Sequence, residues 1–195
     1  MTAFVAALAA CVSILSNAHD DPIDPQRIDA RRLDEAVRHY ANEARGGVGL
    51  PCLAEDEALR DAAEGHAQDM AEKGFFSHAS PVRGRKTMAD RLKAAGAEYR
   101  VAGENLYQTQ LFAFGDRPFY VLDQKRCRFS FTPDGPPVAR HTYRSLARTA
   151  VDAWMESPGH RKNLLMPEAV RGGHGAAIRR SENCGDLYVV QNVAG

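Results

Sequence analysis

Neither sign of charge dominates this chain: 25 lysines and arginines face 25 aspartates and glutamates in 195 residues. A balanced chain carries no global field to recruit nucleic acid, so no nucleic-acid partner is expected. Several common chemistries also lack their sequence basis. There is no Gly-x-Gly-x-x-Gly fingerprint, no phosphate-binding P-loop, no His-Glu-x-x-His zinc helix and no Gly-x-Ser-x-Gly nucleophile elbow. No internal repeat is present, which argues against a solenoid or propeller. Cysteines are few, four in all, and their spacings are far too long for a Cys-x-x-Cys zinc or redox motif. What remains is an ordinary soluble composition, 44% apolar, with enough chain for one domain and a sizeable core.

The one long apolar stretch is at the start. Residues 1–18 carry no charge, and Phe4 to Leu15 is nearly all apolar. That run is short for a spanning helix, which needs about 20 residues. It reads as the apolar region of a signal peptide, with Ser16-Asn17-Ala18 as the cleavage site and Asp20 and Asp21 beyond it. It departs from the usual pattern in having no basic residue ahead of the run. Leu8-Ala9-Ala10-Cys11 has the form of a lipobox, but the apolar stretch before Cys11 is very short, and lipid anchoring through Cys11 ranks below simple cleavage. The expected product is secreted or periplasmic, with no stable transmembrane segment after processing. It keeps Cys52, Cys127 and Cys184, which allow one disulfide and one free thiol in any of three pairings.

Residues 19–27 are acidic, contain Pro22 and Pro25, and read as a disordered leader. Residues 28–195 form the domain. Leu33, Val37 and Tyr40 recur at helical spacing in a helix over 28–44, stopped by Gly46-Gly47 and Gly49. Leu59, Ala62, Ala63, His66 and Met70 make the stripe of a helix over 55–73, with Gly74 placed for a left-handed cap. Thr87 and Asp90 predict a capped helix over 88–95. A strand is expected over 100–107, a helix over 143–155, and final strands over 169–178 and 186–193, the last β-branched and aromatic. Between them, 108–141 holds four prolines and several aromatics and reads as an insertion, with a hairpin through 119–122 and 128–131. Helices flanking a few strands without βαβ alternation indicate an α+β fold.

Three fragments concentrate chemistry: Phe75–Pro81 (FFSHASP), Gly103–Tyr107 (GENLY) and Ala153–Leu165 (AWMESPGHRKNLL). Each sets a histidine or a carboxylate beside a tight turn, and together they supply His78, Glu104 and His160. A turn histidine or a strand-end acid is usually just a satisfied polar residue, so residue type alone favours no site; the clustering of such residues does. Pro158 and Gly159 redirect the chain and can aim His160. His66 lies on an apolar stripe and reads as a core histidine with a hydrogen-bond partner. Trp154 reads as core. Arg140, Arg144 and Arg148 recur every four residues and read as a solvated helix face.

Taken in order, these fragments resemble the CAP, or SCP, superfamily: cysteine-rich secretory proteins, antigen 5 and plant pathogenesis-related proteins, in particular a short secreted bacterial branch. The resemblance rests on His66-Ala67-Gln68-Asp69-Met70, Phe76-Ser77-His78-Ala79-Ser80-Pro81, Arg91-Leu92-Lys93-Ala94-Ala95-Gly96, Gly103-Glu104-Asn105 and Trp154-Met155-Glu156-Ser157-Pro158-Gly159-His160-Arg161. It covers roughly 30–107 and 142–193. It implies an α–β–α sandwich with a small central antiparallel sheet, and a cleft where histidines and acids converge. Carried onto this sequence, the cleft takes His78, Glu104 and His160, with Asn105 positioning Glu104 and His174 as an added cleft residue. Two imidazoles and a carboxylate suit Zn²⁺ with an open position for water. The chain departs from the pattern at Ser157, where a fuller site has a second Glu, at the 108–141 insertion, and at His174, where an apolar residue is usual. Two functions follow from different classes. One is a binding module of the cell envelope or exterior, taking a metal ion, a small molecule, a lipid or an envelope ligand. The other is a zinc-dependent, peptidase-like hydrolase, with Glu104 as third ligand or general base. A structural domain with a vestigial cleft is a third.

Overall fold

The structure, a computed structural model, describes residues 14–180 and 184–195. Most of the expected signal peptide, including Cys11, therefore lies outside the described residues. Five helices and six strands follow in the order α1 (Ala30–Gly47), β1 (Ala54–Glu55), α2 (Glu57–Lys73), α3 (Met88–Ala94), β2 (Ala102–Gln110), β3 (Tyr120–Asp123), β4 (Arg128–Ser130), α4 (Tyr143–Glu156), α5 (Pro158–Leu164), β5 (Arg171–Arg179) and β6 (Asp186–Ala194). The main sheet has the order β1-β5-β6-β2. It is mixed rather than wholly antiparallel, because the two-residue β1 runs parallel to β5; the long pairs β5–β6 and β2–β6 are antiparallel. The insertion forms the separate β3–β4 hairpin.

Strand periodicity sorts β6 between two layers. Leu187, Val189 and Val193 join Leu33, Val37, Leu146, Ala150 and Trp154 in the core under α1 and α4. Tyr188 and Val190 turn the other way, onto Ala63, Ala67 and Met70 of α2. Leu59 and Leu92 continue that second layer beneath α3. Each fully buried aliphatic side chain here contributes about 1.5–3 kcal/mol relative to exposure. The result is the α–β–α sandwich expected from the resemblance.

The sheet can lie so close to α2 because β5 opens with glycines. A Cβ on Gly173 would collide with the backbone of Leu59 and Arg60, and one on Gly175 with that of Glu64. On the opposite layer Arg45 of α1 is fully buried and donates to four carbonyls, those of Pro51, Leu164, Met166 and Ala169, at 2.7–3.0 Å. One cation thus ties α1 to the α5–β5 connection. Helix α1 runs through Gly46-Gly47, because the left-handed residue that stops it is Gly49, φ 79°.

The segment 19–27 is ordered, contrary to the disordered leader its acidity suggests. Ile23 is fully buried and its N–H donates to the His141 carbonyl at 2.8 Å. Its acids find partners: Asp20 pairs with Arg144 at 2.6 Å and Asp21 with Arg32 at 3.0 Å. Arg140 donates to the Ile23 carbonyl, and Arg148 reaches Glu43. Arg140, just before α4, and Arg144 on it therefore clasp the preceding segment, while Arg148 stays on the solvated face of the helix. Cys127 of the insertion forms a disulfide with Cys184, just before β6, across 57 residues. Cys52 is also disulfide-bonded, so it is not the spare thiol an odd count would leave.

Candidate functional site

The site is assembled where α2 ends, β2 begins and α4 turns into α5. Helix α2 closes on Gly74, whose left-handed conformation (φ 68°) turns the chain into Phe75–His78. The buried His66, in the body of α2, holds this loop through a 3.0 Å contact between Nε2 and the Ser77 carbonyl. Burial pushes the His66 imidazole below its ordinary range, so it is the neutral core histidine its stripe predicts. Farther along, Asp69 meets Arg85 at 3.1 Å, and Ser80 N–H donates to the Lys86 carbonyl at 2.8 Å. Helix α3 then starts from a capping box between Thr87 and Asp90 and carries Arg91 inward.

Glu104 of β2 lies between that loop and α3. Its Oε1 is 2.8 Å from His78 Nδ1 and its Oε2 is 2.6 Å from Arg91 Nη2. Glu104 is 5% exposed and Arg91 is 2% exposed, while the His78 side chain is 58% exposed. Burial alone would raise the Glu104 pKa. The hydrogen bond from His78 and the Arg91 charge outweigh it and hold the carboxyl below its ordinary range. An ionised carboxylate only accepts, so His78 donates to it from Nδ1, and in the neutral ring that leaves the lone pair on Nε2. Arg91 also donates to the carbonyls of His78, Arg85 and Lys86 at 3.1–3.3 Å, which fixes the loop and the carboxylate together.

His160 arrives from the other layer. Ser157 ends α4 and caps α5, and Pro158 occupies the first turn of α5. Asn105, fully buried, donates to the His160 carbonyl at 3.0 Å and to Gln191 Oε1 at 2.9 Å. Asn163 of α5 donates to the Glu104 carbonyl and to Asn105 Oδ1. Partial burial, then repulsion between the two imidazoles when both are protonated, lowers the His160 pKa. Beside His160 is a hollow of about 450 Å³ lined by Phe76, Leu106, Tyr107, Trp154 and Ser157 among others. Trp154 is core, as expected, and its Nε1 donates to the Leu106 carbonyl at 3.0 Å.

His78 and Glu104 meet directly, while His160 is tied to the same strand through its carbonyl on Asn105. Both Glu104 oxygens are engaged, and among the described residues no three His, Cys, Asp or Glu side chains gather to hold a metal ion. His174 is not on the cleft at all. It is fully buried on β5, with Nδ1 and its backbone N–H both on Asp34 Oδ1 at 2.9 and 2.8 Å. Gln191 Nε2 meets its other ring nitrogen at 3.1 Å, which links Asp34, His174, Gln191 and Asn105 into one buried chain. Burial would raise the Asp34 pKa, but His174 and Arg38 overcome it and keep the carboxyl low. The sequence reading passed over Arg91, Asn163, Gln191 and Asp34. Arg91 and Asn163 carried a signal, their places in the quoted Arg91–Gly96 and Ala153–Leu165 fragments.

Comparison with known proteins agrees with this fold. The chain is 31% identical over 142 residues to the uncharacterized protein YkwD of Bacillus subtilis (strain 168), covering 73% of this chain and 41% of that protein. It is 29% identical over 142 residues to the uncharacterized membrane protein YlbC of the same organism, covering 31% of it. The chain therefore spans less than half the length of these curated relatives. Its fold is similar to the 1.5 Å crystal structure of an extracellular protein containing an SCP domain from Bacillus anthracis, with TM-score 0.60 and 24% identity over 89% of this chain and 44% of that one. It is also similar in fold to an outer surface protein from Borrelia burgdorferi, with TM-score 0.55 and 16% identity over 86% and 96% of the two chains. Residues 39–193 match the family described as the cysteine-rich secretory protein family, and the chain belongs to that family, the CAP proteins.

Proposed function

We propose that this is a binding module that works outside the cytoplasm, and that its cleft captures a ligand through His78 and His160 without turning it over. The extracytoplasmic setting is supported by the apolar N-terminal run and by the extracellular or outer-surface character of proteins with similar folds. No helix among the described residues is long and apolar enough to cross a membrane. The observation that carries the binding reading is the double engagement of Glu104. One oxygen orients His78 and the other neutralises the buried Arg91. A hydrolytic site needs that carboxylate as a metal ligand or as a base, and here neither oxygen is spare.

The residues fit Zn²⁺ or a similar ion only as a pair of imidazoles, short of the three protein ligands usual at a catalytic zinc. In that role Glu104 stands behind His78 as the carboxylate that fixes its tautomer and raises its basicity. A bound ion would supply a Lewis-acidic anchor for an anionic or carbonyl group. Phe76, Leu106 and Trp154 offer the apolar part of a ligand a surface beside His160. Small, lipid and envelope-derived ligands with one polar end share this chemistry.

The test is isothermal titration of the chain with Zn²⁺, beside the His78→Ala, His160→Ala variant. Saturable uptake lost in the variant, together with no hydrolysis of a mixed peptide and ester panel, is the expected result. Zinc-dependent hydrolysis abolished by the variant would replace the binding reading with the hydrolase. No uptake by either protein would remove the ion and leave the imidazoles as polar contacts for an organic ligand.

A further inference from the structure

Strand β2 is the edge of the main sheet, hydrogen-bonded only to β6. Its outward side is capped along one half. Asn163 and Trp154 donate to the carbonyls of Glu104 and Leu106, on the side away from β6. Backbone groups alternate sides along a strand, so Gln108 and Gln110 turn their N–H and C=O the same outward way. No hydrogen bond among the described residues meets them there. The chain continues into the insertion, which moves off to pair elsewhere: Ala113 N–H donates to Ala139 and His141 N–H to Leu111. This leaves two residues of bare sheet edge, and natural folds usually cover or blunt such an edge.

The bare edge opens onto a groove of about 910 Å³ between β2, the insertion and α4. The groove shares Tyr107, Gln108 and Ala153 with the hollow beside His160, so the two are continuous. One wall is aromatic. Phe114 and Phe119 are stacked at 4.0 Å between centroids, with Phe112 at 5.9 Å from Phe114. The disulfide Cys127–Cys184 packs against this cluster and holds it to the start of β6. The remaining lining includes Asp116, Asp152, Glu156 and Asp186 and contains no lysine or arginine. In a chain whose charges cancel overall, that is a local excess of one sign. None of the four carboxylates has an ion-pair partner among the described residues. Asp152 and Glu156, four apart on α4, repel each other along one helix face.

We propose that this groove takes an extended, lysine- or arginine-rich peptide segment, which adds as a further strand to the free edge of β2 at Gln108 and Gln110. Main-chain bonds to the edge give the peptide its register. Its alternate side chains then fall on two sides. Basic ones reach the carboxylates of α4 and the groove rim, and apolar ones lie on Phe112, Phe114 and Phe119. Charge complementarity decides for a basic segment, and the bare edge decides for a polypeptide over a compact cation. The site is independent of the imidazole cleft, although the two adjoin.

The experiment is fluorescence anisotropy with a labelled alternating lysine–valine peptide at low salt. It is compared with a glutamate–valine peptide, with spermine as competitor, and with a lysine–valine peptide N-methylated at alternate residues. Only the unmodified basic peptide is expected to bind, more weakly as salt rises. Asp152→Asn with Glu156→Gln should cost about tenfold in affinity, as two rim charge pairs of about threefold each multiply. Gln108→Pro removes an outward N–H that the β2–β6 ladder does not use, so it should abolish binding while the thermal melt is kept. Should that variant misfold, the N-methylated peptide asks the same question of the unaltered protein. Equal binding of the N-methylated peptide, or full displacement by spermine, would overturn strand addition. Absence of saturable binding would overturn the site itself. Loss of binding in the His78→Ala, His160→Ala variant would assign the peptide to the cleft and refute a separate groove; retention supports it.

Discussion

Replacing Glu104 by glutamine keeps the shape and removes one charge, and the structure fixes what must follow. Arg91 can only donate, so the new carbonyl oxygen must face Arg91 Nη2, now 2.6 Å from the carboxylate. The amide NH₂ is then left facing His78 Nδ1 across the present 2.8 Å contact. Two donors cannot face each other, so the His78 proton moves to Nε2 and the outward lone pair is lost. Arg91, only 2% exposed, keeps three carbonyl acceptors but loses its counter-charge. Breaking a buried ion pair on one side costs about 3 kcal/mol at the low end of the usual range, and those carbonyls place this case there. For a chain of this size that lowers Tm by about 6–12 °C. Urea unfolding measures the first effect, and the ¹⁵N shifts of the His78 ring measure the second. In the Arg91→Met, Glu104→Leu double variant the loss should be clearly smaller than the sum of the single changes. Unchanged stability in Glu104→Gln, with the His78 proton still on Nδ1, would refute the pairing and the binding reading built on it.

The glycine at 173 has a steric prediction: Gly173→Ala places a methyl against the backbone of Leu59 and Arg60, and should cost about 3 kcal/mol in urea unfolding, where Gly159→Ala, which meets nothing, costs far less. Removing the insertion's staple with Cys127→Ser and Cys184→Ser reopens a 57-residue separation and should lower stability by about 4 kcal/mol by loop-closure entropy; an unchanged urea midpoint would show that the hairpin contributes nothing to the cooperative unit. Acid should act in two stages. His66 and His141 are held below the ordinary 6.5 chiefly by burial, so the unfolded chain takes up those protons first, and stability that is full above about pH 6.5 falls as pH drops below it. Glu104 and Asp34 are held below 4.5 and 3.8 respectively, so their contribution is lost lower still. A urea midpoint that stays flat from neutral pH to below 4.5 would contradict both stages.

Much of the fold was legible because it rests on local rules. The stripe of α2, the Gly74 stop, the Thr87 cap and the alternation of β6 each depend on residues a few positions apart. The readings that failed involve long-range pairing. Acidity and proline at 19–27 resemble disorder until Arg140 and Arg144, more than a hundred residues later, supply partners. His174, in a run of glycines, reads as an added cleft residue. In fact the glycines bring α2 onto one side of β5, and His174 meets Asp34 of α1 on the other. Arg45 gave no signal, since nothing local shows that four carbonyls from a distant connection converge on it. The nearness of His78 to Glu104 was legible only through the order of fragments. The division of labour between the oxygens of Glu104 was not, because it depends on where α3 delivers Arg91.

The pairing of Glu104 with Asn105 explains how two histidines from opposite layers can be held by one strand. Successive residues of a strand face opposite sides. Glu104 stands opposite Asn192 of β6, whose side chain reaches the Leu59 carbonyl of α2, so it faces the α2–α3 layer that brings His78. Asn105 stands opposite Gln191, which faces His174 and α1, so it belongs to the layer from which α4 and α5 bring His160. Neither residue could serve both histidines, and any two residues of equal parity would serve only one. The acid is needed toward His78, where a tautomer must be fixed, and the amide toward His160, where a backbone carbonyl must be held while Gln191 and Asn163 are satisfied together. Beyond this pair the same alternation turns the Leu106 carbonyl to Trp154, and then leaves Gln108 and Gln110 facing the open groove. A single strand thus orients one histidine by its carboxylate, anchors the helix of the other by its amide, and presents its own unpaired edge to whatever lies alongside.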